Sequence, residues 1–155
     1  MMISCNQKEN PLLGEFNTPF GVPPFDQIKT EHYMPAFEEA IKQHDAEIEA
    51  IVNNPEAPTF KNTIEPLEFS GLLLTRVNLI FSSLTEADTN DELQTIAKEI
   101  SPRLTEHYDN ISLNDKLFQR VKAVYDNREN EGLDAEQMKV LENLSLIHIS
   151  EPTRH

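Results

Sequence analysis

The chain has 155 residues, of which 38% are apolar, enough for one domain with a buried core. Its 13 basic and 27 acidic residues leave a net charge of −14, which repels phosphate backbones and argues against nucleic-acid or anionic-membrane partners. Glycine is scarce, at 4 residues, and there is one cysteine, so a turn-rich β fold and an internal disulfide scaffold are both disfavoured.

Residues 1–27 carry Pro11, Pro19, Pro23 and Pro24 with Gly14 and Gly21 and no helical period, which predicts an extended lead-in held to the domain by Leu12, Leu13, Phe16, Phe20 and Phe25. Cys5 follows Met-Met-Ile-Ser, which resembles the end of a lipoprotein signal, though without the charged and apolar regions that export requires. A cytoplasmic location is expected for the chain as written. A cell-envelope lipoprotein is the expectation if the true start lies upstream and residues 1–5 are a signal remnant.

The helical domain is assigned to residues 28–143. Thr30 is the predicted N-cap of a first helix, with Glu31 at the positive end of the dipole and Pro35 in the first turn. Tyr33, Phe37, Ala40, Ile41, His44, Ile48 and Ile51 form its apolar stripe, and Asn53-Asn54-Pro55 ends it.

A second helix starts between Thr59 and Thr63, with the stripe Ile64, Leu67, Gly71, Leu74, Val77, Phe81 and Leu84. Leu72, Leu73 and Ile80 widen that stripe, which predicts burial on two sides, and Gly71 predicts a close approach to another helix. The most apolar run, Leu72 to Phe81, is interrupted by Thr75, Arg76 and Asn78, so no transmembrane segment is expected.

Thr89 to Glu92 reads as a capping box opening a third helix along Leu93, Ile96, Ile100, Leu104, His107 and Ile111. Pro102 lies inside that pattern and should kink or split it. Asn114 caps a fourth helix with Leu117, Val121 and Val124, ending near Asn130 and Gly132. A fifth opens at Asp134, with Met138 and Leu141 on its stripe, and is cut short. Five helices with short connections predict an all-α, mostly antiparallel helical bundle whose last member is truncated.

A search for chemistry among these residues finds no site. A zinc peptidase helix of the His-Glu-x-x-His type needs two imidazoles one turn apart, and His32, His44 and His107 each lack a second histidine three to five residues away. Position 103, where an inverted motif ending at His107 would place its first histidine, is Arg103. His44 and His107 lie on apolar stripes and read as satisfied core imidazoles, and His32 as a first-turn residue bonding locally. Cys5 has no neighbouring base that would make it a nucleophile. No catalytic, cofactor-binding or metal-binding residue is expected in the chain.

The wording of the sequence carries more than its periodicity does. Residues 10–41, "NPLLGEFNTPFGVPPFDQIKTEHYMPAFEEAI", resemble the amino-terminal segment of peptidyl-dipeptidases in the thimet oligopeptidase (neurolysin-like) family of zinc peptidases. The likeness continues through "PTFKNTIEPLEFSGLLLTRVNLIFSSL", "TNDELQTIAKEISPRLTEHYDNISLNDKLFQRV" and "LDAEQMKVLE", essentially residues 10–142, with Lys61 in place of a usual glutamate.

The resemblance implies a chain several times longer, folded as two helical lobes around a channel that admits short peptides. Zinc would be held by a His-Glu-x-x-His helix and a downstream glutamate, all distal to residue 155, and C-terminal dipeptides would be released from oligopeptides. Residues 28–143 would then be a helical cap forming part of the channel wall, partnered by the catalytic lobe of the same polypeptide. The chain as written should bind no zinc and be inactive. The competing reading is a free-standing, non-catalytic helical adaptor.

Residues 144–155 change character. "LSLIHISEPTR", from Leu144 to Arg154, resembles the translation of a transposon-end adapter used in sequencing libraries, and His155 fits the adapter's next base. These residues are expected to be adapter-derived, with the natural frame left at about Asn143.

Overall fold

The computed structural model describes residues 10–87 and 90–149. Among them every regular element is helical, as an amphipathic sequence poor in glycine dictates. The helices are α1 (Tyr33–Val52), α2 (Glu65–Glu68), α3 (Leu72–Ala87), α4 (Asp91–Ser112), α5 (Asp115–Asp126) and α6 (Ala135–Ile149).

Helix α1 is the spine. The first half of its stripe, Tyr33, Phe37 and Ala40, packs with Leu12, Leu74, Val77, Phe81, Leu93, Ile96 and Ile100 into one apolar cluster. Tyr33 and Phe37 each meet the Phe81 ring edge-on, with centroids 5.1 and 5.5 Å apart, a favoured aromatic geometry. The second half, Ile48 and Ile51, joins Phe60, Ile64, Leu67, Leu117, Val121, Val124 and Leu141 in another. One helix thus carries two cores, and its middle turn lies between them.

Several local expectations need correction. A 3-10 turn, Thr30–His32, precedes α1, so Thr30 is not the helix N-cap. The turn closes when the Lys29 backbone N–H donates to His32 Nδ1 at 2.9 Å, the local bond expected of His32. Pro35 then falls third in α1, where a missing N–H costs nothing. In the lead-in, Leu12 is fully buried and Leu13 and Phe16 pack beside it, but Phe20 and Phe25 point to solvent. Phe20 sits in the turn Pro19–Gly21 at φ 63°, a left-handed conformation that directs the chain away from the core.

The second predicted helix is two helices. It starts within the predicted interval, with Thr59 as the cap, accepting from the Asn62 N–H at 3.1 Å. It opens with a π-turn over Phe60–Ile64 and then breaks after α2, because Gly71 adopts φ +70°. The two-sided burial holds only in part. Ile80 is buried, whereas Leu72 and Leu79 face solvent with Phe69.

By length and composition the stretch Phe60–Ala87 passes as a membrane-crossing helix, with a hydropathy of 1.2 over its most apolar window. Gly71 breaks that stretch, and its Ile64, Leu67, Leu74, Val77, Ile80 and Phe81 pack into the two clusters.

At α4 the cap is Asn90, whose side-chain oxygen accepts from the Leu93 N–H at 2.9 Å; Thr89 lies outside the described residues. Asparagine is the stronger cap, and the shift leaves the stripe unchanged. Pro102 neither splits nor ends α4. It lies on the exposed face, where water can serve the carbonyl it leaves unpaired.

Asn114 caps α5 by accepting from the Leu117 N–H at 3.0 Å, and Asp134 and Gln137 bond reciprocally at the start of α6. Helix α6 runs on to Ile149 rather than stopping near Asn143. Leu144 continues the stripe three residues after Leu141 and packs on the second cluster.

Candidate functional site

The chemistry-bearing side chains gather between the two apolar clusters, on the middle turn of α1. His44 comes from α1, His107 from α4, and Ser70 and Gly71 from the break between α2 and α3. Both imidazoles are buried. His44 Nε2 lies 3.2 Å from Ser70 Oγ, and that hydroxyl donates to the Leu67 carbonyl at 2.6 Å. His44 Nδ1 lies 2.8 Å from His107 Nε2. The other nitrogen of His107, Nδ1, is 3.1 Å from the exposed Asp45 carboxylate. Beside them Glu47 accepts the Gly71 backbone N–H at 2.7 Å.

Gly71 is required here twice over. Its positive φ disfavours any side chain, and a Cβ at that position would stand 2.7 Å from His44 Cε1. The close approach foreseen at Gly71 is therefore to an imidazole, at a helix break rather than a helix crossing.

Burial pushes the His44 imidazole below the ordinary value of 6.5, and His107 acts in the same direction; Glu47 and Asp45 oppose them without prevailing. Tyr108 packs in a T-shaped arrangement with both histidines, with centroids 6.2 and 5.3 Å away, and burial raises its phenol above 10.0.

Catalytic zinc needs three protein donors around one point with a further position open. Among the described residues no three His, Cys, Asp or Glu side chains converge in that way. The facing nitrogens of His44 and His107 are committed to each other. The described residues do not fit a zinc centre, and no hydrolytic step is assigned to them. Cys5 and His155 lie outside the described residues, as does the side chain of His148.

Two further polar clamps escaped the sequence reading. Arg120 on α5 is buried and donates through Nη1 to the carbonyls of Asn54 and Glu56 at 3.0 and 3.2 Å, and through Nη2 to Asn62 Oδ1 at 3.2 Å. Arg76 on α3 donates to the carbonyls of Leu12 and Gly14 at 3.0 and 3.1 Å and stacks on Phe16, which pins the lead-in. The one available signal was the position of Arg120 directly beside the stripe residue Val121.

No protein-family model matches the chain. Over 133 residues, 86% of its length, it is 49% identical to dipeptidyl carboxypeptidase of Escherichia coli (strain K12) and 47% identical to dipeptidyl carboxypeptidase of Salmonella typhimurium. It is 28% identical over 134 residues to oligopeptidase A of Escherichia coli. These homologues are peptidases by name, and the chain spans 20% of the length of the two dipeptidyl carboxypeptidases.

Proposed function

We propose that the chain is the amino-terminal helical cap of a zinc-dependent peptidyl-dipeptidase, a larger polypeptide that releases C-terminal dipeptides from oligopeptides. The observation that carries this reading is the 49% identity over 133 residues to a dipeptidyl carboxypeptidase. The cap supplies no reacting group. Its role is to form part of the wall of a channel that admits unfolded peptides, while the zinc and the base that activates water come from the remainder of the polypeptide.

The exposed apolar side chains Phe69, Leu72 and Leu79 support a second contact partner. Leu72 and Leu79 are two turns apart on α3 and share a face. In the proposed assembly the remainder of the polypeptide covers that face, leaving the acidic helix surfaces to solvent.

Residues 144–155 are proposed to be adapter-derived, so the source locus provides the test. Read from a library free of that adapter, the frame is expected to continue past Asn143 into a His-Glu-x-x-His helix. A natural stop codon at that point would overturn the proposal in favour of the free-standing adaptor.

A further inference from the structure

We propose that His44 and His107 form an acid-sensitive latch on the Ser70–Gly71 break, one that holds with a single added proton and opens on the second. The latch does not depend on the peptidase reading.

Between His44 Nδ1 and His107 Nε2, 2.8 Å apart, there is room for one proton, and an imidazole nitrogen that carries a proton cannot also accept one. With the pair neutral, the chain of bonds runs one way. For this the Ser70 hydroxyl must leave the Leu67 carbonyl, its acceptor in the structure, and donate to His44 Nε2; His44 Nδ1–H donates to His107 Nε2, and the remaining proton on His107 Nδ1 faces Asp45.

When the pair gains one proton the chain reverses. The Ser70 hydroxyl turns to the Leu67 carbonyl, 2.6 Å away, and accepts from His44 Nε2–H. The former His44 Nδ1 proton now belongs to His107 Nε2 and is donated back. The balance is one proton taken from solvent onto His44 Nε2 and one passed from His44 to His107. The charge then rests on His107, beside the Asp45 carboxylate at 3.1 Å. Both arrangements keep every nitrogen partnered.

A second proton has only His44 Nδ1 to occupy. It would set N–H against N–H at 2.8 Å and place two cations edge to edge. Asp45 and Glu47 offset this at His44 only in part. On α1, Asp45 is engaged with His107, and Glu47 with the Gly71 N–H and Gln43. On α4, Tyr108 meets it through a T-shaped ring contact. From the α2–α3 break come only the Ser70 hydroxyl and the Gly71 N–H. His44 therefore takes the second proton by leaving its place, which releases Ser70 and the bond that clamps the break to α1. The direction of the shift at His44, downward by burial and by His107, agrees with this.

Opening takes up one proton, so acid favours it. The closed-to-open ratio should therefore fall as the pH is lowered, by at most about tenfold per pH unit for one proton.

The test uses the full chain labelled with 15N at histidine. Long-range ring-nitrogen correlation spectra are followed from pH 8 to pH 5, together with amide exchange at Ser70, Gly71 and Leu72 corrected for intrinsic rates. The single ring proton of His44 is expected to move from Nδ1 to Nε2 as His107 becomes doubly protonated. Gly71 exchange should then accelerate, by at most about tenfold per pH unit. In His107→Gln the amide can turn to donate or accept, so that acceleration should be lost. A His44 ring protonated on both nitrogens opposite a charged His107, with Gly71 still protected, would overturn the latch. So would a His44 tautomer that never changes. The wild-type spectra decide the matter even if the variant does not fold.

Discussion

Gly71→Ala is expected to lower stability by roughly 2–5 kcal/mol, from two separable causes. A side chain at φ +70° costs about 1–2 kcal/mol through its own carbonyl. The new Cβ also falls 2.7 Å from His44 Cε1 and 2.8 Å from Nδ1, and crowding of that kind costs about 1–3 kcal/mol. Thermal unfolding followed by circular dichroism should show a midpoint lowered by roughly 5–15 °C for a chain of this size. Gly132→Ala is the control. Gly132 shares the positive φ, at +65°, but nothing lies within 4 Å of its Cβ position, so it should show the backbone cost alone. Equal effects at the two glycines would remove the argument for close packing at His44.

Arg120→Met is expected to cost about 2–5 kcal/mol. The methionine can fill much of the space, but it leaves the carbonyls of Asn54 and Glu56 and the Asn62 side chain without their shared donor. Those acceptors belong to the connection between α1 and the π-turn, so the loss should unfasten that connection from α5 while the first apolar cluster stays intact. Arg120→Lys should recover little, since a single ammonium does not reproduce a guanidinium fork. Urea unfolding measures the loss as a lowered midpoint. A midpoint unchanged in Arg120→Met would mean that water serves those acceptors as well as arginine does.

These two residues mark where the sequence was legible and where it was not. Amphipathic spacing placed Tyr33, Phe37, Leu74, Leu117 and Leu141 in the core correctly, because a stripe depends only on residues within two or three turns. Asn114 was readable as a cap for the same reason. The break at Gly71 was missed because its apolar positions keep a helical period across it; what breaks the helix is a conformation that glycine permits but does not require. The pairing of His44 with His107, 63 residues apart, leaves no local trace. Each was read correctly as a satisfied imidazole, and neither could be read as the other's partner. Arg120 was missed because its three acceptors are 58 to 66 residues away.

The resemblance to peptidyl-dipeptidases rested on whole phrases of sequence. The identity of 49% to a dipeptidyl carboxypeptidase agrees with it at the level of the family's peptidases. Nothing in the two clusters or the histidine layer would by itself have pointed to peptide hydrolysis.

The most direct measurement is the release of C-terminal dipeptides from an amino-blocked oligopeptide, by the intact gene product and in parallel by the 155-residue chain. The intact protein is expected to release dipeptides and to stop when its metal is chelated, while the 155-residue chain releases none. Turnover by the 155-residue chain itself, or none by a folded and zinc-replete intact protein, would contradict the assignment.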